Sequence, residues 1–274
     1  SFCTIPLARG KSRSNTISNV IYNVHKIASK NIKEIVLTGI NLGDFGANSN
    51  DSIQYNFFDL VKELDKLNLN VRFRISSIEP NLLTDEIIEF ISTSKNFVHH
   101  FHIPLQSGSD RVLKLMRRRY DTKLYNSRIR MINQLMPDAC IGVDVIVGFP
   151  GEGDNEFLES MSFIEDLDIS YLHVFKYSER DNTHAITLPK IVNSKIRTKR
   201  SKLLRLLSSR KKAGFYNKNI GTIHQVLFES EDKNGFIEGF SSNYVRFRRK
   251  WDSSLAGSIV ESKFTKIDSE GFAI

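Results

Sequence analysis

The 274 residues contain only two cysteines, Cys3 and Cys140, and no apolar run long enough to span a bilayer. Two thiols this far apart read as free cysteines in a reducing cytoplasm rather than as a disulfide framework. Cys140, inside an apolar stretch, reads as a core residue. That stretch, Cys140 to Pro150, is the longest in the chain, yet Asp144 interrupts it and it is too short for a membrane helix. No basic segment followed by an apolar core opens the sequence, so nothing supports secretion. The expectation is a cytoplasmic protein with no membrane partner. Internal repeats and low-complexity tracts are missing too.

What is present is the composition of an ordinary globular protein, 40% hydrophobic and 26% charged, in one large domain or two moderate ones. The net charge of +8 is unevenly spread. Lys190 to Lys218 holds eleven Lys or Arg and no Asp or Glu, and the remainder is slightly acidic. Such a block is either a footprint for a polyanion or a solvated helix face.

Strand-like and helix-like segments alternate through the first two-thirds. Glu34 to Thr38, Arg72 to Ser77, Val98 to Leu105, Ile141 to Gly148 and Tyr171 to Tyr177 are short and rich in β-branched or aromatic residues. Between them, Ile17, Val20, Ile21, Val24, Ile27 and Ala28 share a helix face after the candidate caps Ser14, Asn15 and Thr16. Phe57 to Leu67, Ile87 to Ile91, Tyr125 to Met136 and Phe157 to Ile164 repeat the pattern. Alternation of this kind predicts βα units around a parallel sheet, open or closed. A long helix is expected over Ser194 to Asn217, with Ile196, Leu203, Leu204 and Leu207 facing inward. After Gly221, short strands at Thr222 to Phe228, Gly235 to Phe240, Tyr244 to Phe247 and Ser258 to Thr265 suggest a small all-β barrel. The boundary is placed at 217, giving 1–217 and 218–274.

Several segments carry residues suited to a site. In Gly142 to Gly148, one strand face is Val143, Val145 and Val147; the other is Gly142, Asp144, Ile146 and Gly148, small and partly polar. Removing bulk from one face admits either a ligand or a closely packed neighbour. Ser107, Gly108 and Ser109 suit a helix N-terminus, as an anion site or a plain cap. His100 and His102 share a face, but without an acidic or thiolate neighbour in sequence they define no metal site. Gly39 and Asn41 follow a strand, where barrel enzymes place their sites. Glu79 accepts a ribose hydroxyl or pairs locally. In Tyr244 to Trp251, aromatic and basic side chains alternate, which fits RNA bases and phosphates or a charged edge strand.

Three motifs are more specific: Cys3-Thr4-Ile5-Pro6 with Arg9-Gly10, His102-Ile103-Pro104-Leu105-Gln106-Ser107-Gly108-Ser109, and Val147-Gly148-Phe149-Pro150-Gly151-Glu152. With them the chain resembles the methylthiotransferase family of radical S-adenosylmethionine enzymes along nearly its whole length. The resemblance implies an α/β fold, a partial TIM-like (βα) radical SAM barrel followed by a small all-β, OB-like TRAM module that holds RNA. It implies that Cys3 is the last ligand of a C-x-x-x-C-x-x-C site for a 4Fe-4S cluster. The other two cysteines, the first barrel strand and an N-terminal domain with a second, auxiliary cluster would then precede Ser1. By the same resemblance Gly39 and Asn41 lie near the methionine end of S-adenosylmethionine, Glu79 and Gln106 near its ribose or sulfonium, and Gly142, Asp144 and Gly148 near its adenine. Lys199, Arg200, Arg210, Lys211, Tyr244, Arg246, Arg248 and Arg249 would meet tRNA, and a cellular electron donor would reduce the cluster.

Within the family, Ala8 to Ser14, Leu37 to Gly43, Ser76 to Pro80 and Leu172-His173-Val174-Phe175 resemble the branch acting on threonylcarbamoyladenosine in tRNA. Lys11-Ser12 lacks the acidic residue usual in the isopentenyl branch. Lys176, Asp181-Asn182 and Gly153 depart from the pattern, in loops. A branch acting on a ribosomal-protein aspartate, or a non-catalytic RNA-binding module on the same scaffold, are the alternatives.

Overall fold

The computed structural model describes residues 3–10, 12–47 and 55–274. Ser1 and Lys11, named in the family resemblance, and Phe2 lie outside the described residues. Five parallel strands run in sequence order: β1 (Glu34–Leu37), β2 (Arg72–Ile75), β3 (His100–His102), β4 (Cys140–Val147) and β5 (Tyr171–Lys176). Strands β1 and β2 pair in parallel, as do β3, β4 and β5. The two groups are joined where Phe73 bonds to Asn96 and Val98. β3 is shorter than its apolar run suggests because Pro104 has no N–H for the ladder, although Ile103 and Leu105 still donate to Gly142 and Asp144.

Helices α1 (Ile5–Arg9), α2 (Ile17–Ala28), α3 (Phe57–Asp65), α4 (Asp85–Thr93), α5 (Asp110–Leu115), α6 (Thr122–Leu135), α7 (Asp154–Asp166) and α8 (Ser194–Asn219) occupy the intervening segments. Their starts follow capping chemistry. Thr16 accepts from the Asn19 N–H, and Asn56 and Asp59 form a reciprocal capping box. The outer strand face, Val143, Val145, Val147, Leu172 and Val174, is buried with helix residues such as Tyr125, Ile129, Leu204 and Leu207 in one core. On α8 only Leu204 and Leu207 of the four expected apolar contacts are buried. Ile196 and Leu203 are exposed, because buried Arg197 and Arg200 take positions on the inward side.

The remaining strands, β6 (Ile223–Phe228), β7 (Phe236–Ser241), β8 (Arg246–Lys250) and β9 (Ile259–Lys263), are antiparallel in the order β8-β7-β6-β9. The chain end closes the curl: Ala273 donates to Arg246 and accepts from Arg248, while Ile274 accepts from Thr265. Val226, Phe228, Ile237, Phe247 and Phe264 fill the interior. β8 starts later than expected, since Tyr244 sits in a turn at φ 64° and donates to Ser241. No helix among the described residues is long and apolar enough to cross a membrane.

Candidate active site

The C-terminal ends of the parallel strands form a mouth. A cleft of about 600 Å³ opens beside β1, lined by Ile5, Arg9, Thr38, Gly39, Asn41 and Asp44 among others. That size suits a nucleoside-class ligand. Cys3 is exposed at the start of α1, its sulfur accepting from the Ile5 N–H at 3.4 Å. Cys140 is buried, and burial pushes its thiol up to about 12, so it stays protonated and core-bound. Cluster iron needs thiolates that it can reach. Of the two cysteines, Cys3 alone meets that condition.

Two buried side-chain oxygens at the mouth have no hydrogen-bond partner: Asn41 Oδ1 and Gln106 Oε1. Asn41 also donates from Nδ2 to Asp44. Gln106 is held in the left-handed region at φ 68°, its N–H donating to Asp144 O and its C=O accepting from Ile146. The backbone is thus clamped while the amide oxygen is left for something else, which is what a ligand contact requires. Gly39 lines the same cleft as Asn41. Glu79 has taken the local alternative, an ion pair with Arg118 at 2.8 Å.

Other expectations need correction. Gly142 is small for packing: a Cβ there would stand 2.4 Å from the Tyr171 ring. Gly148 is needed for its φ of 75° and for the Arg197 side chain, which would lie 2.3 Å from a Cβ. Neither glycine opens space for adenine. The Ser107–Ser109 segment offers no free anion site, since Gly108 N–H donates to Ser160 Oγ and Ser109 N–H to Ser107 Oγ. Asp144, by contrast, does face other polar groups. Its Oδ1 lies 3.0 Å from His102 Nε2, and with His173 the three place their donor atoms within 4.8 Å of one another. The carboxylate that the histidines lack in sequence is supplied across the sheet by β4.

Among the residues expected to meet RNA, several are already engaged. Arg200 is buried, bonded to Glu152 at 2.6 Å and Asp154 at 2.7 Å. Lys211 caps α7 through the carbonyls of Glu165 and Leu167. Arg246 and Arg248 share Glu238, and Arg248 also meets Glu270. Tyr244 stacks on His100 at 4.3 Å and on Phe240 at 4.8 Å. Phe247 belongs to the core. Lys199 and Arg249 are exposed without an ion pair among the described residues, and exposed Arg210 has only a 3.5 Å contact with Glu165.

At the opposite end of the strands lies a cluster that sequence reasoning missed. Glu34 on β1 pairs with Arg72 at 2.6 Å and Arg74 at 2.8 Å on β2. The guanidiniums also donate to the carbonyls of Gln225, Phe240, Ser241 and Ser242 in the small barrel. Burial acts to raise the Glu34 carboxyl, but the hydrogen bond and charge of Arg74, then those of Arg72, hold it below its ordinary value. The only sequence signal was Arg at alternate positions of a strand, Arg72 and Arg74.

A model of the Radical SAM superfamily matches residues 1–164. The chain is 39% identical over 272 residues to the threonylcarbamoyladenosine tRNA methylthiotransferase MtaB of Bacillus subtilis, covering 97% of this chain and 59% of that protein. It is 35% identical to the protein of the same name in Aquifex aeolicus, over 91% and 59%. It is 33% identical to the tRNA-2-methylthio-N(6)-dimethylallyladenosine synthase of B. subtilis, over 96% and 52%. The chain therefore spans a little over half the length of these curated relatives.

Proposed function

Because this chain belongs to the radical SAM superfamily, we propose that it carries the catalytic barrel of a tRNA methylthiotransferase acting at carbon 2 of N6-threonylcarbamoyladenosine. The observation that supports this most is the 39% identity to a relative of that name, which runs through both the parallel barrel and the terminal β barrel. The terminal barrel is read as a TRAM module, and exposed Lys199 and Arg210 on α8, with Arg249 on the barrel, are left as phosphate contacts.

A 4Fe-4S cluster and S-adenosylmethionine, the cofactors of the superfamily, supply when bound the one-electron chemistry that activates a carbon–hydrogen bond. Cys3 would contribute one thiolate to the cluster. Asn41 and Gln106 would bind S-adenosylmethionine through their unpartnered oxygens, with Gly39 beside them. At the lower end of the barrel the Tyr171 ring fills the space beside Gly142. An electron donor from the cell completes the requirement.

The reading is tested on bulk tRNA nucleosides by mass spectrometry in a strain lacking the gene. The methylthio form of threonylcarbamoyladenosine is expected to vanish, to return with the intact gene, and not to return with Cys3→Ala. An unchanged level in the deletion strain would reject the activity.

A further inference from the structure

The lumen is layered by the register of β4 and β5. Gly142 pairs with Tyr171, Asp144 with His173 and Ile146 with Phe175. Two residues separate each level, so successive layers stand about 6–7 Å apart. The lowest layer is closed. The Tyr171 ring fills the space beside Gly142, its hydroxyl lies 3.3 Å from His100 Nε2, and His100 stacks on Tyr244. The highest layer is apolar, with Phe175 still 52% exposed. Between them lie His102, Asp144 and His173. His102 and Asp144 are paired at 3.0 Å, and the His173 ring is set edge-on to His102 with centroids 5.6 Å apart. His173 is exposed to the lumen.

Resting on the proposed tRNA methylthiotransferase activity, we infer that His102, Asp144 and His173 receive the N6 substituent of the target adenosine and select threonylcarbamoyl over dimethylallyl. An adenine stacked on Phe175 at the apolar layer projects a short branched substituent one layer down, onto the polar group. Threonylcarbamoyl brings urea N–H and hydroxyl donors for the remaining lone pairs of Asp144, and a carboxylate for the imidazole N–H of His173, His102 Nε2 being committed to Asp144. Dimethylallyl is hydrocarbon. It strips water from a carboxylate and two imidazoles and returns no hydrogen bond, the situation in which a polar site discriminates most strongly against an analogue. The two substituents named for the relatives differ sharply in polarity.

The test uses the reconstituted enzyme and two anticodon stem-loops, one with each modified adenosine. Expected is a ratio of kcat/KM favouring threonylcarbamoyl in the wild type, which His173→Phe shifts by at least about tenfold toward dimethylallyl. Asp144→Asn should shift it the same way. Stem-loop affinities measured without turnover should show the same change of ratio. A variant that slows both substrates equally, leaving the ratio alone, overturns the inference. So does one equivalent of zinc or iron(II), bound by the wild type and lost in Asp144→Asn, because the same donors would then be a metal centre. Wild-type turnover of neither stem-loop defeats the underlying activity and this inference with it, and is recognisable because no variant is needed to see it.

Discussion

At the floor of the barrel Arg72 and Arg74 share Glu34 and donate to four carbonyls of the small barrel, whereas at the mouth Asn41 and Gln106 each keep a buried oxygen with no partner. Both ends are polar and both are largely shielded from solvent. They differ in whether the protein itself completes the hydrogen bonding. Buried polar groups in native proteins are nearly always paired, so a saturated cluster marks a structural joint, and the orphaned acceptors at the mouth are where we propose a ligand.

The comparison breaks first at the floor. Arg74→Ala leaves Glu34 short of a partner and the Ser242 carbonyl without its guanidinium donor, and should cost about 3–5 kcal/mol in urea unfolding; a loss below about 1 kcal/mol would show that the joint is no more than a surface pair. A smaller effect follows from pH. Glu34 is held below its ordinary value, so its contribution is complete above about 4.5 and is lost as pH falls through the lower folded value. Stability should therefore decline on acidification below about 4.5, and Glu34→Gln should remove that part of the decline. The mouth should respond the other way. Gln106→Asn, which tolerates the left-handed backbone, should weaken S-adenosylmethionine binding about tenfold, ~1.4 kcal/mol, in calorimetric titration of the cluster-loaded enzyme. Its thermal midpoint should be nearly unchanged, because the Gln106 oxygen has no partner to lose and Asn tolerates φ 68°.

The elements were legible where periodicity was strong. The strands at Glu34, Arg72, Cys140 and Tyr171 begin within a residue of where the β-branched runs place them, and the apolar faces of α3, α4 and α6 are those that are buried, whereas on α2 only Val24 is buried and Ile27 is exposed. Legibility failed where one pattern serves two purposes. A strand face cleared by glycine looks the same whether a ligand or Tyr171 fills the space. A basic helix looks solvated until Arg197 and Arg200 are found turned inward onto carbonyls and carboxylates. The alternation in Tyr244 to Trp251 promised stacking platforms, but Phe247 closes a core and the Tyr244 ring is already packed on His100 and Phe240. The polar layer in the lumen was out of reach because its three members come from three strands and meet only through register.

Tyr244 and the paired arginines also fix an angle. With a ring packed against His100 of one barrel and two guanidiniums gripping the backbone of the other, the terminal barrel is mounted rather than tethered. Nucleic acid held on it would arrive at the mouth in one preset orientation. Exchanging that module between relatives should succeed only when Glu34, Arg72 and Arg74 travel with the surface they clasp.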